Sequence, residues 1–547
     1  MKRTILYLAA AAVIALGFTS CNKDEKTEEG MQFRATMENN DAKTALVGTH
    51  VNWVEGDEVM IFGTHQNGLY RATPDADDAR SATLNQVGQQ VISNGGIFTA
   101  VYPASAAVNA TTVTLPAQQQ SVDGSLANTF PMYAQSYDEN LQFKNLCGVL
   151  KIHLQQEGAT VSRISVTANT EINGNFSVDN SGEAPAISYV EGGNFTTTLI
   201  CSEAQDITNG KDFYIYMPEG NYSGLKIMIM NAGYGVEKNA PANATIAIER
   251  SKYSTLSFAN VNMPIPPDNG VWGLYSVSDN QQVWIATGNL QFRNEGTFVG
   301  ADDVTHTGTW RIAEHQWDFC GYGTGNYKGN VTDGNNGNSS KWIDQFAWGA
   351  TCYNGNNPLP RVENVANYPT MPTTIANTNY DWGVYCIGDG WRTLTPAEWQ
   401  YMVNNGHNRN NPSSKFGHAT VNGTHGLILL PDIWNGPAIT PHSNNSTYED
   451  NVFTADEWAE FEALGAAFLP VTNYCNASSS RLGNPVYGDG GWYWGATGTT
   501  SNSQGFVVYT QHFDGSGTAF GNANMRRPNS LLSVRLCKNY VPASANE

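Results

Sequence analysis

Four histidines, His407, His418, His425 and His442, lie close together in the sequence. Imidazole is the commonest metal ligand and a natural general base near neutral pH. A zinc site needs convergent ligands at suitable spacing, and neither HxH nor HExxH occurs. These histidines therefore read as solvated or structural. The acidic pairs Asp456-Glu457 and Glu460/Glu462 could support acid–base chemistry. At a helix start, however, Asp456 and Glu457 complement the positive end of the dipole. Beyond residue 21 the cysteines are Cys147, Cys201, Cys320, Cys352, Cys386, Cys475 and Cys537, with no CxxC among them. That argues against a zinc ribbon or thioredoxin motif. Cys320, Cys386 and Cys537 sit in apolar or aromatic stretches and read as buried thiols. G-x-S-x-G, P-loop and dinucleotide fingerprints are missing. The expectation is no catalytic residue, no metal and no cofactor. What remains is recognition. Asp432 and Trp434 follow an apolar strand, where a carboxylate can bind hydroxyls and an indole face can stack on a sugar. The same pair could simply turn the chain and fill the core. Trp492 and Trp494 are two apart on a strand and share one face, again as core or as ligand surface. The candidate ligand-binding residues are Asp432, Trp434, Trp492 and Trp494.

The elements that must hold these residues are mostly strands. The chain has 547 residues, enough for three or four domains. Charged residues are 14% and aromatics 11%, which excludes a disordered chain. With 29 basic against 49 acidic residues it offers no phosphate-neutralising surface, so no nucleic-acid partner is expected. Thirteen of the 14 tryptophans follow residue 270, and only Trp53 precedes it. The chain thus divides into two unlike parts. From 31 to 263, short runs such as EVMIF, FTAVY, FYIYM and LKIMIM alternate with turn residues, as in β-sandwiches. Leu150, Ile152 and Leu154 alternate with Lys151 and His153, the period of a strand with one wet face. An internal boundary is placed near 146. Prolines 264, 266 and 267 mark a linker over 264–270. Beyond it, Val271 to Phe292 reads as a hairpin, and Gly321–Asn338 and Asn354–Asn379 read as long loops. Thr395-Pro396-Ala397-Glu398 and Thr454-Ala455-Asp456-Glu457 are capping boxes that open two helices. The final strand SLLSVRLCK is expected to pair with an early one.

Three resemblances follow from particular residues. Lys2 and Arg3, the apolar run Ile5–Phe18, and small residues before Cys21 resemble a bacterial lipoprotein signal. That implies a signal peptide over 1–20, lipidation at Cys21, and a polar tether over 21–30. Lys23-Asp24-Glu25 resembles the surface-export tag of Bacteroides-type lipoproteins. The ordered motifs WVEGDEVMIF (53–62), AVYPA (100–104), LPAQQ (115–119), PMYA (131–134), FKNLCGVLKI (143–152) and INGNFSV (172–178) resemble the fimbrillin family. This implies two transthyretin-like β-sandwiches, 31–146 and 147–263, and fimbrial partner subunits joined by strand exchange. WRTLTPAEWQYM (391–402), GLILLPDIW (426–434), GWYWGAT (491–497) and SVRL (533–536) resemble C-type-lectin-like domains. This implies an α+β head over 271–540. The nearest counterpart of a calcium-ligating triplet is Arg527-Pro528-Asn529, and an arginine cannot ligate calcium. The fold expectation is mainly β: two sandwiches, then the lectin-like domain. The functional expectation is a non-enzymatic cell-surface lipoprotein of the outer membrane, a tip or accessory subunit of a fimbrium. Its adhesive head would bind a host or bacterial glycan or protein. The alternatives are a glycan-binding protein of a polysaccharide-uptake system and, further off, a formylglycine-generating-type enzyme using Cys352 with Cys475.

Overall fold

The computed structural model describes residues 31–38, 52–88, 91, 96–122, 125–126, 130–240, 244–320, 342–351, 372–405, 416–434, 436–443, 445–478, 481–486, 490–501, 505–514, 524–526, 528 and 530–542. Cys21, Cys352, His407, Arg527 and Asn529 lie outside them, as do Gly321–Asn338 and most of Asn354–Asn379. The fold is mainly β. The described α-helices are Pro396–Gln400 and Ala455–Ala463.

The first strands close into a barrel in the order 33–37, 140–145, 132–136, 98–102, 58–62, 67–74, 81–87. Phe33–Met37 closes the ring, parallel to 140–145 and antiparallel to 81–87. Trp53 lies just before the strand Glu58–Phe62, because Asp57 accepts a hydrogen bond from the Val54 amide at 2.9 Å and starts the turn there. Its ring is buried edge-on to Tyr102 and Phe143. Sheet pairing then crosses residue 146. Thr112–Leu115 pairs with Gly174–Asp179, and Gln118–Val122 runs parallel to Thr196–Asp206. The alternation Leu150, Ile152, Leu154 lies on strand Gly148–Leu154, with those three side chains buried and Lys151 and His153 half-exposed. Arg250 ties the two β-units together. Its Nη1 donates to Glu38 Oε1 at 2.6 Å and to the Asn145 carbonyl at 3.1 Å.

The tryptophan-rich part is a set of small sheets around two helices. Its first hairpin, Gly270–Ser278 with Gln281–Ala286, pairs with the final strand Leu536–Asn539, which also pairs with Trp391–Thr393. The domain's ends thus meet, as expected. Both capping boxes form. Thr454 Oγ1 accepts from the Glu457 amide at 3.2 Å, while the Glu457 carboxylate accepts from the Thr454 amide at 2.8 Å. Trp458 and Phe461 bury one face of that helix, their rings stacked at 5.7 Å. Gly465 ends it at φ +90°, a conformation glycine adopts without strain. The first helix widens after Gln400 into a π-helical turn, Tyr401–Asn405.

The head sits directly on the second sandwich. Leu274 and Trp284 belong to the same buried cluster as Leu150, Ile215 and Ile229. Gly233 pairs with Gly273 across the seam, the Gly233 amide donating to the Trp272 carbonyl at 2.9 Å. A Cβ at Gly233 would meet Pro431 Cγ at 2.5 Å, and one at Gly273 would meet the Gly465 carbonyl at 2.5 Å. Glycine is needed at Gly233 because Pro431 and the Leu464 carbonyl press on it across the seam, and at Gly273 because Gly465 and Pro431 press on it from its own unit.

Candidate functional site

Asp432 leaves the strand Thr424–Leu429 through Leu430 and Pro431, and its carboxylate turns back onto the first hairpin. It accepts from the Ser276 amide at 2.9 Å, Ser276 Oγ at 2.8 Å and Gln282 Nε2 at 2.5 Å. Its own amide donates to the Leu274 carbonyl at 2.8 Å. This carboxylate joins the hairpin to the turn beneath the seam. Trp434 is half-buried. Its ring stacks on Phe461 at 5.5 Å and its Nε1 donates to the Pro437 carbonyl at 3.0 Å. It borders the cluster formed by Trp458, Phe461, Phe468 and Ile428.

Trp492 and Trp494 do share a core, with Phe292, Trp310, Trp348 and Leu532. Trp494 is 1% exposed and donates from Nε1 to the Phe346 carbonyl at 2.7 Å. Trp348 answers with a bond from its Nε1 to the Gly495 carbonyl at 2.9 Å. Trp492 is buried beneath the Arg526 guanidinium, 4.0 Å from its ring centroid, and Tyr474 packs beside it at 4.6 Å. Cation–π stacking of this kind uses the indole face a sugar would need. The four candidates thus fall into two clusters on different elements and do not converge.

His418 and His442 come together, Nδ1 to Nδ1 at 3.4 Å, with His418 fully buried against Tyr448. Burial lowers the His442 pKa. His425 stacks on the other side of this cluster, on Tyr448 at 4.6 Å. Among the described residues no group of three or more His, Cys, Asp or Glu side chains could hold a metal ion. Cys147, Cys201, Cys320 and Cys537 are buried and Cys386 is partly buried; Cys320 Sγ accepts from Gln291 Nε2 at 3.4 Å. Burial raises the Cys201 pKa to about 11, which removes it as a nucleophile at neutral pH.

Two ionisable residues emerge whose structural roles composition and motifs do not mark. Asp381 is fully buried at the start of a π-helical turn, Gly383–Ile387. Its Oδ1 accepts from the amides of Thr393 and Gly383 and from Thr393 Oγ1. Desolvation nonetheless raises its pKa to about 6. Next to it, Arg392 forms a fork with Glu398 at 2.9 and 2.6 Å, so the helix-capping carboxylate is also an ion-pair partner. Arg535, 1% exposed, donates to the carbonyls of Ala286 and Phe468 at 2.9 and 2.7 Å and to Asn289 Oδ1 at 3.0 Å. Burial lowers its pKa to about 10, still charged at neutral pH. The only trace of it in the sequence is a charge inside an apolar strand, SLLSVRLCK. Both groups hold backbone in place.

No family model and no curated relative matches this chain. Among solved structures, it is similar to a fimbrial assembly protein from Parabacteroides distasonis, at 12% identity and TM-score 0.24, over 47% of this chain and 94% of that one. A fimbrial protein from Bacteroides ovatus aligns at 10% identity and TM-score 0.21, over 89% of this chain and 95% of that one. The tip fimbrial protein Mfa3 from Porphyromonas gingivalis, truncated at its C-terminus, aligns at 14% identity and TM-score 0.16, over 38% of this chain and 80% of that one. At this distance the fold stands on its own strand pairings.

Proposed function

We propose that this chain is a lipid-anchored surface protein of fimbrial type, a tip or accessory subunit whose C-terminal head is adhesive. Residues 1–20 are the signal peptide, Cys21 carries lipid, and 21–30 form the tether. The sandwiches 31–146 and 147–263 are the stalk, 264–270 the linker, and 271–540 the C-type-lectin-like head. The observation that carries this reading is the seating of the head. A terminal domain sharing a buried core with the unit beneath it is mounted to transmit load, as an adhesin requires. Two acyl chains or more anchor a protein far more firmly than one. Capture of glycan for uptake is a second reading, favoured by the junction groove described below.

The anchor is tested by metabolic labelling with palmitate and by fractionation. The wild-type chain is expected to incorporate label and to resist protease-free washing from the outer membrane. Cys21→Ala is expected to incorporate none and to be released. Equal labelling of both would reject the lipoprotein assignment.

A further inference from the structure

We propose that the groove where the second sandwich meets the head binds a short carboxylate-bearing oligosaccharide. The groove has a volume of about 440 Å³ and draws its walls from both units. Small-ligand sites run from about 300 to 1,000 Å³ and favour domain interfaces. A pyranose needs an apolar surface for its C–H face and fixed polar groups for its hydroxyls. The exposed Ile265 and the half-buried Pro267 supply the first, over a floor made by the buried Trp284 and Pro264. Tyr540 also lines the groove, half-buried and edge-on to Trp284 at 6.1 Å.

The polar groups are held before any ligand arrives. Gln156 accepts from the Met263 amide at 2.6 Å and donates to the Met263 carbonyl at 2.9 Å. Tyr540 is pinned through its backbone, its amide donating to the Gln282 carbonyl at 2.9 Å and its carbonyl accepting from Gln281 Nε2 at 3.0 Å. The exposed Asn539 is held by Arg392, which donates to its Oδ1 at 2.9 and 2.7 Å. Such preorganisation lowers the ordering cost of binding.

Charge selects the ligand class. In a chain with 49 acidic and 29 basic residues, this groove is lined by Lys538 and by no Asp or Glu. Lys538 Nζ lies 3.3 Å from Asp389, whose side chain is 86% exposed. The Lys538 side chain is 27% exposed; a pair with so exposed a partner is weak, and the ammonium can turn to a ligand carboxylate.

The proposal extends the reading of the head as a recognition module. It is measured on purified protein, so its failure leaves the anchor and the fimbrial placement standing. The full chain is titrated calorimetrically with tetragalacturonate, tetramannuronate and 6′-sialyllactose, and with the methyl ester of each acid that binds. Saturable binding of at least one acid is expected, about tenfold tighter than its ester, equivalent to one good ionic contact. Lys538→Glu is expected to remove that preference without changing the melting midpoint. Lys538→Ala, which keeps the groove's shape, is expected to bind acid and ester alike. Binding by none of the three acids, or an unchanged acid preference in Lys538→Glu, would overturn the proposal.

Discussion

Asp381 and Arg535 carry the sharpest consequences of burial. Asp381 holds its proton up to about pH 6 in the folded chain, against 3.8 for the ordinary group. The folded state therefore binds more protons than the unfolded state between those values. Its contribution to stability is fully present below pH 3.8 and is lost as pH rises through 6, by up to about 3 kcal/mol at 1.36 kcal/mol per unit. His442 acts in the opposite sense: its folded pKa is depressed from 6.5, so stability is lost as pH falls below that value. Asp381→Asn isolates the first effect. Head unfolding in urea, followed by tryptophan emission, is expected to lose the part of its pH slope between 4 and 6 that Asp381 supplies. An unchanged slope would contradict the buried-carboxylate assignment. Arg535→Met removes the donor for two buried carbonyls and for Asn289. At about 1–3 kcal/mol for each buried acceptor left without a partner, the same assay is expected to show a loss of several kcal/mol. Neither role is legible in the sequence. Asp381 stands in a polar run, TNYDWG, that reads as a loop, and its burial follows from packing against Trp391–Thr393.

At the scale of elements, local patterns were legible and partners were not. Both capping boxes, the hairpin after residue 270 and the alternation at 150–154 followed from spacing alone, because caps and one-sided burial act within a few residues. The crossing of 112–122 onto strands 174–179 and 196–206 could not be read so, since a strand's periodicity does not name its neighbour. The four proposed ligand residues likewise shared suitable types. Trp494 is nevertheless filled in on both sides, and Asp432 is occupied by Ser276 and Gln282. Thr454→Ala removes the cap of the second helix and is expected to cost about 1 kcal/mol, read as a shift in the urea midpoint. The glycine seam makes a larger prediction. Gly233→Val drives a branched side chain across the seam against Pro431 and the Leu464 carbonyl. The head is expected to separate from the second sandwich while each keeps its own core. Scattering should show a larger radius of gyration, and the 264–270 segment should become protease-sensitive. A variant as compact as wild type would mean that the shared core of Leu274 and Trp284 holds without the seam.

Over the whole molecule, the uneven tryptophans have a structural meaning. The head uses indoles such as Trp348, Trp382, Trp399, Trp458 and Trp494 to fill space between small sheets and short helices. The second β-unit fills its core mostly with Val, Ile and Leu, while the barrel mixes these with Phe and Tyr. Tryptophan enrichment thus marks where the architecture changes more than where a ligand sits. The groove at the junction lies where the two kinds of core meet, and it brings Trp284 together with residues of the linker and the last strand. No helix among the described residues is long and apolar enough to cross a membrane. A head fixed by a shared core also leaves little freedom for another subunit to add beyond it. The proposed role accordingly puts the chain at a fimbrial end or beside the shaft, and not repeated along it. The most direct test is immunogold electron microscopy with antibody against residues 271–540, on cells producing the chain from its own locus. The account predicts gold at fimbrial tips or at the cell surface near their bases. Regular labelling along the length of the shafts would contradict it.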